Sequence, residues 1–438
     1  MHSGSLPDFS KEQWELLAVL QALEGPVTID LLGDIAPLRP GPFFNLLNQA
    51  KALNWVTQKG EDRFTIGTDL PAPVQNKLAE INTATHLSAL WDKLQELNAG
   101  NLVPHQAKTA LLNQIGRYEA ASKIHIDLAE QALAEKDPEK AWDHFNQVAD
   151  LLCNHLDEKK CQVMYTATVL KLSNLSFPIS KNLRELFKHL ALAQKACTLS
   201  GDRRSHALLH LHMGRLHLWL DEYNKLYTHL SRGIKEIEAL GDEDIYNQAA
   251  VFIGILYCAQ GQHKKAFPFM ERAEKLYESR EQDFISDSSA PVILGYGLAF
   301  LGDFHRAIGR LDFSLRTAVQ RSNHSLALVL KAALGMMLVH IKQHRQAANL
   351  LESAMSEAVE AKNDIALRVA RFGMALKSMN EGDSKGAYHF LSKAFTASET
   401  FLLSPGFLSP WILEMLYKFN QVGFKPIPGV EYQKTLQR

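Results

Sequence analysis

Small residues return along most of the chain at a nearly constant interval. Ala129, Gly214, Gly254, Gly295, Gly335 and Ala375 stand 85, 40, 41, 40 and 40 residues apart, the first step spanning two units. Twelve positions after each comes Ala141, Leu226, Ala266, Ala307, Ala347 or Ala387, and seven further on Val148, Gly233, Ala273, Ser314, Ala354 or Ala394. Between these two sets falls a large apolar residue: Phe145, Leu230, Met270, Leu311, Leu351 or Leu391. Seven positions after each marker the chain carries a helix-breaking or polar pair, Lys136-Asp137, Asp221-Glu222, Gly261-Gln262, Gly302-Asp303, Lys342-Gln343 or Gly382-Asp383. A residue without a bulky side chain lets a neighbouring helix come close, and a polar pair turns the chain, so each unit is expected to be a helical hairpin. Mid-helix glycine costs about 0.5 to 1 kcal/mol relative to alanine, so the repeated glycines imply close helix contacts that compensate for them.

This pattern resembles the tetratricopeptide repeat, with its small residues at positions 8 and 27, alanine at 20 and apolar residue at 24. The resemblance covers about 118–400, roughly seven hairpins, with a diverged unit near 158–199 where Leu175 to Ser180 is read as separating two helical stretches. It departs from the family in its period of about 40, against 34, and in position 4, which holds His125, His210, Ala250, Pro291, Lys331 and Arg371. Longer units of this kind resemble the repeat region of bacterial signalling ATPases of the maltose-regulator type. The resemblance implies an all-α fold, a right-handed superhelix of stacked hairpins.

Residues 1–72 follow another pattern. Trp14 to Leu23, Thr28 to Asp34 and Pro42 to Asn54 read as helices, the third with Phe43, Leu46, Leu47, Ala50 and Leu53 on one face. Trp55 to Thr57 and Arg63 to Ile66 flank a Lys59-Gly60-Glu61-Asp62 turn and predict a hairpin. Three helices and a hairpin resemble a winged helix. Connecting helices are expected over 73–117, and a capping helix from Pro410 to Gln421, followed by a tail, over 401–438.

Composition narrows the partners. Lys and Arg number 47 against 48 Asp and Glu, so no global field draws in nucleic acid or an anionic membrane. Cys153, Cys161, Cys197 and Cys258 lack CxxC spacing and read as buried free thiols of a reducing compartment. With no secretory pattern at the N-terminus and no apolar run near the roughly 18 residues a span needs, a cytoplasmic location is expected.

Catalytic and cofactor motifs do not emerge. The sequence has no GxxxxGK[ST] loop and no GxGxxG after a strand, so neither catalytic residues nor a cofactor site is assigned. His206, His210, His212 and His217 share roughly one helical face, but without HExxH, and with His210 and His217 at packing positions 4 and 11, packing is favoured over metal ligation. In the third helix Asn45, Asn48 and Gln49 have the chemistry to read adenine and Lys51 to bind phosphate. Residues 1–70 nevertheless carry five basic and nine acidic side chains, a net of −4, which disfavours DNA.

What remains is the surface formed by the first helix of each unit. The family lines its concave face from positions 2, 5, 9 and 12. Carried over, these place Arg215, Gln248, Ile255, Tyr296, Met336, Phe372 and Met379 in a partner-binding groove suited to an amphipathic helix or extended peptide. The competing reading makes the same residues core, the superhelix being closed by its longer helices. The function expected is a non-catalytic interaction or sensor scaffold of a bacterial signalling or transcription-regulating system. Its partner would be a protein or peptide, an ATPase domain in the same or a neighbouring chain among them. A DNA-binding regulator acting through the winged helix is the alternative.

Overall fold

The computed structural model describes residues 6–23, 25–36, 38–81, 84–97, 103–135, 137–179, 183–219, 222–259, 261–279, 290–396 and 409–425. They form two units, residues 1–128 and 129–438.

In the first unit, Ser10 opens α1 (Lys11–Ala22) with a reciprocal cap: its hydroxyl accepts from the Gln13 amide at 3.3 Å, and its own amide donates to the Gln13 side chain at 2.8 Å. The chain continues through β1 (Val27–Thr28), α2 (Ile29–Ile35), α3 (Pro40–Ala52), β2 (Val56–Lys59) and β3 (Arg63–Ile66). The predicted hairpin is present, with Thr57 opposite Thr65 and Gly60 supplying a left-handed turn at φ 80°. Strand β1 adds a third member on the other side of β3. It is two residues long, too short for an alternation to be visible in the sequence.

Helix α3 buries Phe43, Leu46, Leu47 and Ala50 as its spacing predicts; Leu53, expected on that face, sits at the helix end and is 44% exposed. Helices α4 (Ala72–Ile81), α5 (Ala84–Glu96) and α6 (His105–Gln114) are more than a tether: Val74, Leu78, Leu87, Leu90, Leu94, Ala107 and Leu111 join Trp14, Leu17, Leu32, Phe43 and Phe64 in one continuous core.

Helix α7 (Tyr118–Ala134) crosses the division between the units. The second unit continues with α8 (Pro138–Leu152), α9 (Lys159–Ile179), α10 (Leu183–Ser200), α11 (Arg203–Trp219), α12 (Tyr223–Leu240), α13 (Glu243–Ala259), α14 (His263–Ser279), α15 (Ala290–Phe300), α16 (Phe304–Gln320), α17 (His324–His340), α18 (His344–Glu360), α19 (Asp364–Asn380), α20 (Ser384–Thr396) and α21 (Ser409–Gln421). From α9 to α20 they pair as successive tetratricopeptide-like hairpins. The segment from Leu175, read as a separator, is helical through Ile179; a proline in a last helical turn does not stop a helix that is already formed.

Helices end where the polar pairs stand. Gly261, Gly302, Lys342 and Gly382 take left-handed φ of 69°, 86°, 63° and 81° inside hairpins. Gly201, Gly241, Ser322 and Lys362 do the same between them. An Asp or Asn following the left-handed residue then caps the next helix: Asp303, Asn323, Asn363 and Asp383 accept from the amides of Arg306, Leu326, Ala366 and Gly386 at 2.9 to 3.2 Å. Lys136 and Asp221, members of two expected pairs, lie outside the described residues.

Close approach falls where side chains are smallest. A Cβ placed on Gly214, Gly254, Gly295 or Gly335 would stand 3.0, 2.7, 2.6 or 2.8 Å from Leu230, Met270, Leu311 or Leu351. Each is the large apolar residue of the same hairpin. Met270 also fills the space over Gly297, and Leu351 that over Gly373, so one side chain spaces its own hairpin and the next. On the outside, Arg306 and Arg310 of α16 reach Glu274 of α14, joining neighbouring hairpins through their second helices. Among the described residues no helix is long and apolar enough to cross a membrane.

Candidate functional site

First and second helices of the hairpins have different surroundings. Of α17, Leu326 to Leu330 and Ala332 to Val339 are all buried, whereas α18 buries only Ala347, Leu351, Ala354 and Ala358. First helices therefore form an inner layer sandwiched by others, and second helices an outer one. The inner layer closes on itself: α9 touches α17, four hairpins further on, and α17 packs along α19.

The expected groove residues lie in this inner layer. Arg215, Ile255, Tyr296, Met336 and Phe372 are each at most 2% exposed, and Met379 is half-buried. The side chain of Gln248 lies outside the described residues. Arg215 crosses to α9, where its guanidinium donates to the Ser173 carbonyl at 2.5 Å and hydroxyl at 3.0 Å. A cation taken out of water needs such acceptors, and α9 supplies them. Burial also pushes the Tyr296 phenol above its ordinary range.

At one margin of the inner layer an aromatic nest is occupied by the chain itself. Trp411, near the start of α21, stacks on Phe300 with ring centres 5.1 Å apart and planes at 18°, and lies 4.7 Å from His340 and 6.4 Å from Tyr296. Phe304 stacks on the His340 ring at 4.8 Å. Burial holds His340 down at about 4, so the ring is neutral and available for stacking at neutral pH. Helix α21 carries its apolar residues on one face: Trp411, Met415 and Phe419 are four apart, and Phe419 meets Tyr388 of α20 at 5.7 Å. Glu414 and Tyr417 point outward.

A second cluster lies between α11 and α12. His206 and His210 are one turn apart on α11; His229 and Glu236 are two turns apart on α12; Gly233 stands between the latter pair. A Cβ on Gly233 would come within 3.3 Å of the Ala207 carbonyl and the His210 Cβ, so its absence lets the helices meet there. Contacts run as a line. Glu236 accepts from His206 at 2.8 Å, the His206 and His210 rings are 5.0 Å apart, and the Nδ1 atoms of His210 and His229 are 2.9 Å apart. His229 stacks on His217 at 5.3 Å, and His217 bonds Glu222 at 2.7 Å. Burial lowers the pKa of His210 and His217, and burial with the neighbouring imidazoles takes His229 to about 4.

No protein-family model and no curated protein matches the chain. Among solved structures it is similar to a signal transduction ATPase with numerous domains and a tetratricopeptide repeat sensor from Pyrococcus horikoshii, at 13% identity over 95% of this chain and 68% of that one, with a TM-score of 0.37. It is also similar to a Rap protein complexed with competence and sporulation factor (13% identity, 97% of this chain and 94% of that one, TM-score 0.33). A third is yeast Tom70 (13% identity, 98% and 86%, TM-score 0.31). At such TM-scores these likenesses bear on neither partner nor activity.

Of the histidines grouped from sequence, His206 and His210 meet directly and His217 joins them through His229, while His212 is half-buried. Missing from that group were His229 and Glu236, which stand on the other helix of the hairpin. Their signal was a seven-residue step across Gly233, visible only once the two helices are read as facing each other. The DNA-reading candidates Asn45, Asn48, Gln49 and Lys51 are all exposed on α3, and Lys51 donates to Gln58 at 2.6 Å. Burial pushes the Cys258 thiol up to about 12 and raises Cys153 and Cys197, away from a reactive thiolate.

Proposed function

We propose that this chain is a protein-interaction or sensor scaffold whose hairpin array grips an amphipathic helix through an aromatic anchor. The observation that carries the reading is the seat of Trp411 against Phe300, His340 and Tyr296, where the array already holds a helix with its apolar face inward. Half-buried tryptophan on an aromatic floor is the kind of contact that concentrates binding energy. In this state α21 occupies the seat, and a partner helix of the same pattern competes for it. The inner-layer residues Arg215, Ile255, Tyr296, Met336, Phe372 and Met379 shape the array behind that seat.

The setting we propose is a bacterial signalling or transcription-regulating system, with an ATPase domain in the same or a neighbouring chain as one partner; the long-period hairpins behind a winged-helix-like unit support it. DNA reading by that unit gains no support, since its net charge is −4 and Lys51 is engaged by Gln58.

A chain ending at residue 408 leaves the seat open. A labelled peptide of residues 409–425 should bind it saturably, and the Trp411→Ala peptide at least about tenfold more weakly, as expected for loss of an aromatic hot spot. Full-length chain should bind the peptide far less well than the truncated one. Equal binding of both peptides, or none, would end the proposal.

A further inference from the structure

The line of histidines between α11 and α12 has a composition that packing alone does not require. One atom each from His206, His210 and Glu236 lie within 4.8 Å of one another, an imidazole pair and a carboxylate converging from two helices. A tetrahedral zinc site with metal–ligand distances near 2.0 to 2.1 Å sets its donors about 3.4 Å apart. The donors are thus within a side-chain rotation of that geometry, and the two that must move are the two with room: the side chains of His206 and Glu236 are 25% and 30% exposed, while His210 is buried.

Two features prepare these groups for a cation. Glu236 brings negative charge, which offsets Arg232, the cation whose field reaches His210 and His229. The rings are packed in place: the Gln194 amide lies 3.3 Å from His210 Nδ1 and 3.4 Å from its Nε2, and His217, itself bonded to Glu222, stacks on His229. Outer partners of this sort fix the orientation of ligating imidazoles.

We propose that His206, His210 and Glu236 form a binding site for a divalent transition-metal ion of the zinc class, with His229 or water completing four-coordination. Two imidazoles and a carboxylate favour zinc or cobalt over magnesium or calcium, which prefer oxygen donors. Bound there, the ion takes the place of the His206–Glu236 hydrogen bond, the Nδ1 proton leaving to solvent or moving to Nε2, and clips α11 to α12 across Gly233. The site lies within one hairpin and does not depend on Trp411, so it stands or falls independently of the helix-gripping seat.

Untagged full-length protein stripped of metal is titrated with Co2+ as an optical probe. The expected result is one equivalent bound with visible bands of low-coordinate cobalt, displaced by Zn2+ and unaffected by excess Mg2+. Glu236→Gln and His206→Asn should each weaken binding at least about tenfold. His324→Asn, an exposed histidine elsewhere, should leave it unchanged. Metal-free circular dichroism of each variant checks that the fold is retained; a variant that unfolds is replaced by His210→Asn. Absence of stoichiometric uptake, or uptake that survives substitution of both His206 and Glu236, would overturn the site.

Discussion

Hairpins α11/α12 and α17/α18 share one scaffold and fill it differently. Gly214 and Gly335 mark the same repeat position, and each receives the leucine of its own second helix, Leu230 or Leu351. Around that shared socket the chemistry diverges. His210 and Glu236 of the first hairpin correspond to Lys331 and Glu357 of the second, where Lys331 donates to the Glu357 carboxylate at 2.7 Å and to Ser353 at 3.2 Å. His206 and His229 correspond to Ala327 and Leu350. The repeat therefore has two kinds of position: small-into-large sockets that hold the hairpin together, and an inter-helix margin where an opposite-charge pair or an imidazole cluster is equally compatible with the fold.

If that division is right, the largest effects belong to the sockets and are the same in both hairpins. Leu230→Ala and Leu351→Ala should each cost about 3 kcal/mol, the usual range for a buried leucine whose site cannot collapse. Urea unfolding would measure both, and values differing by more than about 1 kcal/mol would break the equivalence.

A smaller, pH-dependent effect belongs to the histidine margin alone. His229 is held near 4 in the folded chain, whereas an unfolded histidine takes its proton near 6.5. Its folded pKa is depressed, so below about 6.5 the unfolded state binds the extra proton. The associated stability is complete above that pH and declines as pH falls toward 4. Allowing for partial exposure, the loss is about 1 to 2 kcal/mol. His229→Leu, which copies Leu350, should flatten the slope of unfolding midpoint against pH over this window; His340, also near 4, leaves a remainder. An unchanged slope would show that the imidazole line is not the source.

The smallest effect is expected at the other margin. The side chains of Lys331 and Glu357 are 21% and 46% exposed, so Lys331→Met should change stability by no more than about 1 kcal/mol, less still in high salt. A loss of 3 kcal/mol or more, the scale of a buried pair, would place this pair among the structural sockets.

These contrasts mark what a sequence makes visible. Gly254 and Met270, or Gly295 and Leu311, are legible because a fixed interval of sixteen residues puts the small member on one helix and the large one opposite on the next. Turns were legible for a similar reason, since Gly302-Asp303 and Gly382-Asp383 each join a left-handed residue to a cap. Curvature is different. The meeting of α9 with α17 is the sum of small rotations over four hairpins, and no local pattern encodes that sum. The histidine site was half legible: the α11 members share a helix face, but their partners depend on a pairing between helices. The Trp411 seat was beyond reach, because Phe300, His340 and Trp411 are assembled from three distant helices.

The double duty of Leu351, wedged at once over Gly335 and over Gly373, has an evolutionary reach. Turns between helices take up single residues, as the 41-residue step from Gly254 to Gly295 shows, but a change of helix length in such a chain is compatible with the stacking only as a full repeat of about forty residues. Loss of one whole unit sets a bulky group against a bare one again, but loss of half a unit confronts two bulky groups or two bare ones. Lineages of this array should therefore differ by whole hairpins, and hardly ever by a helix.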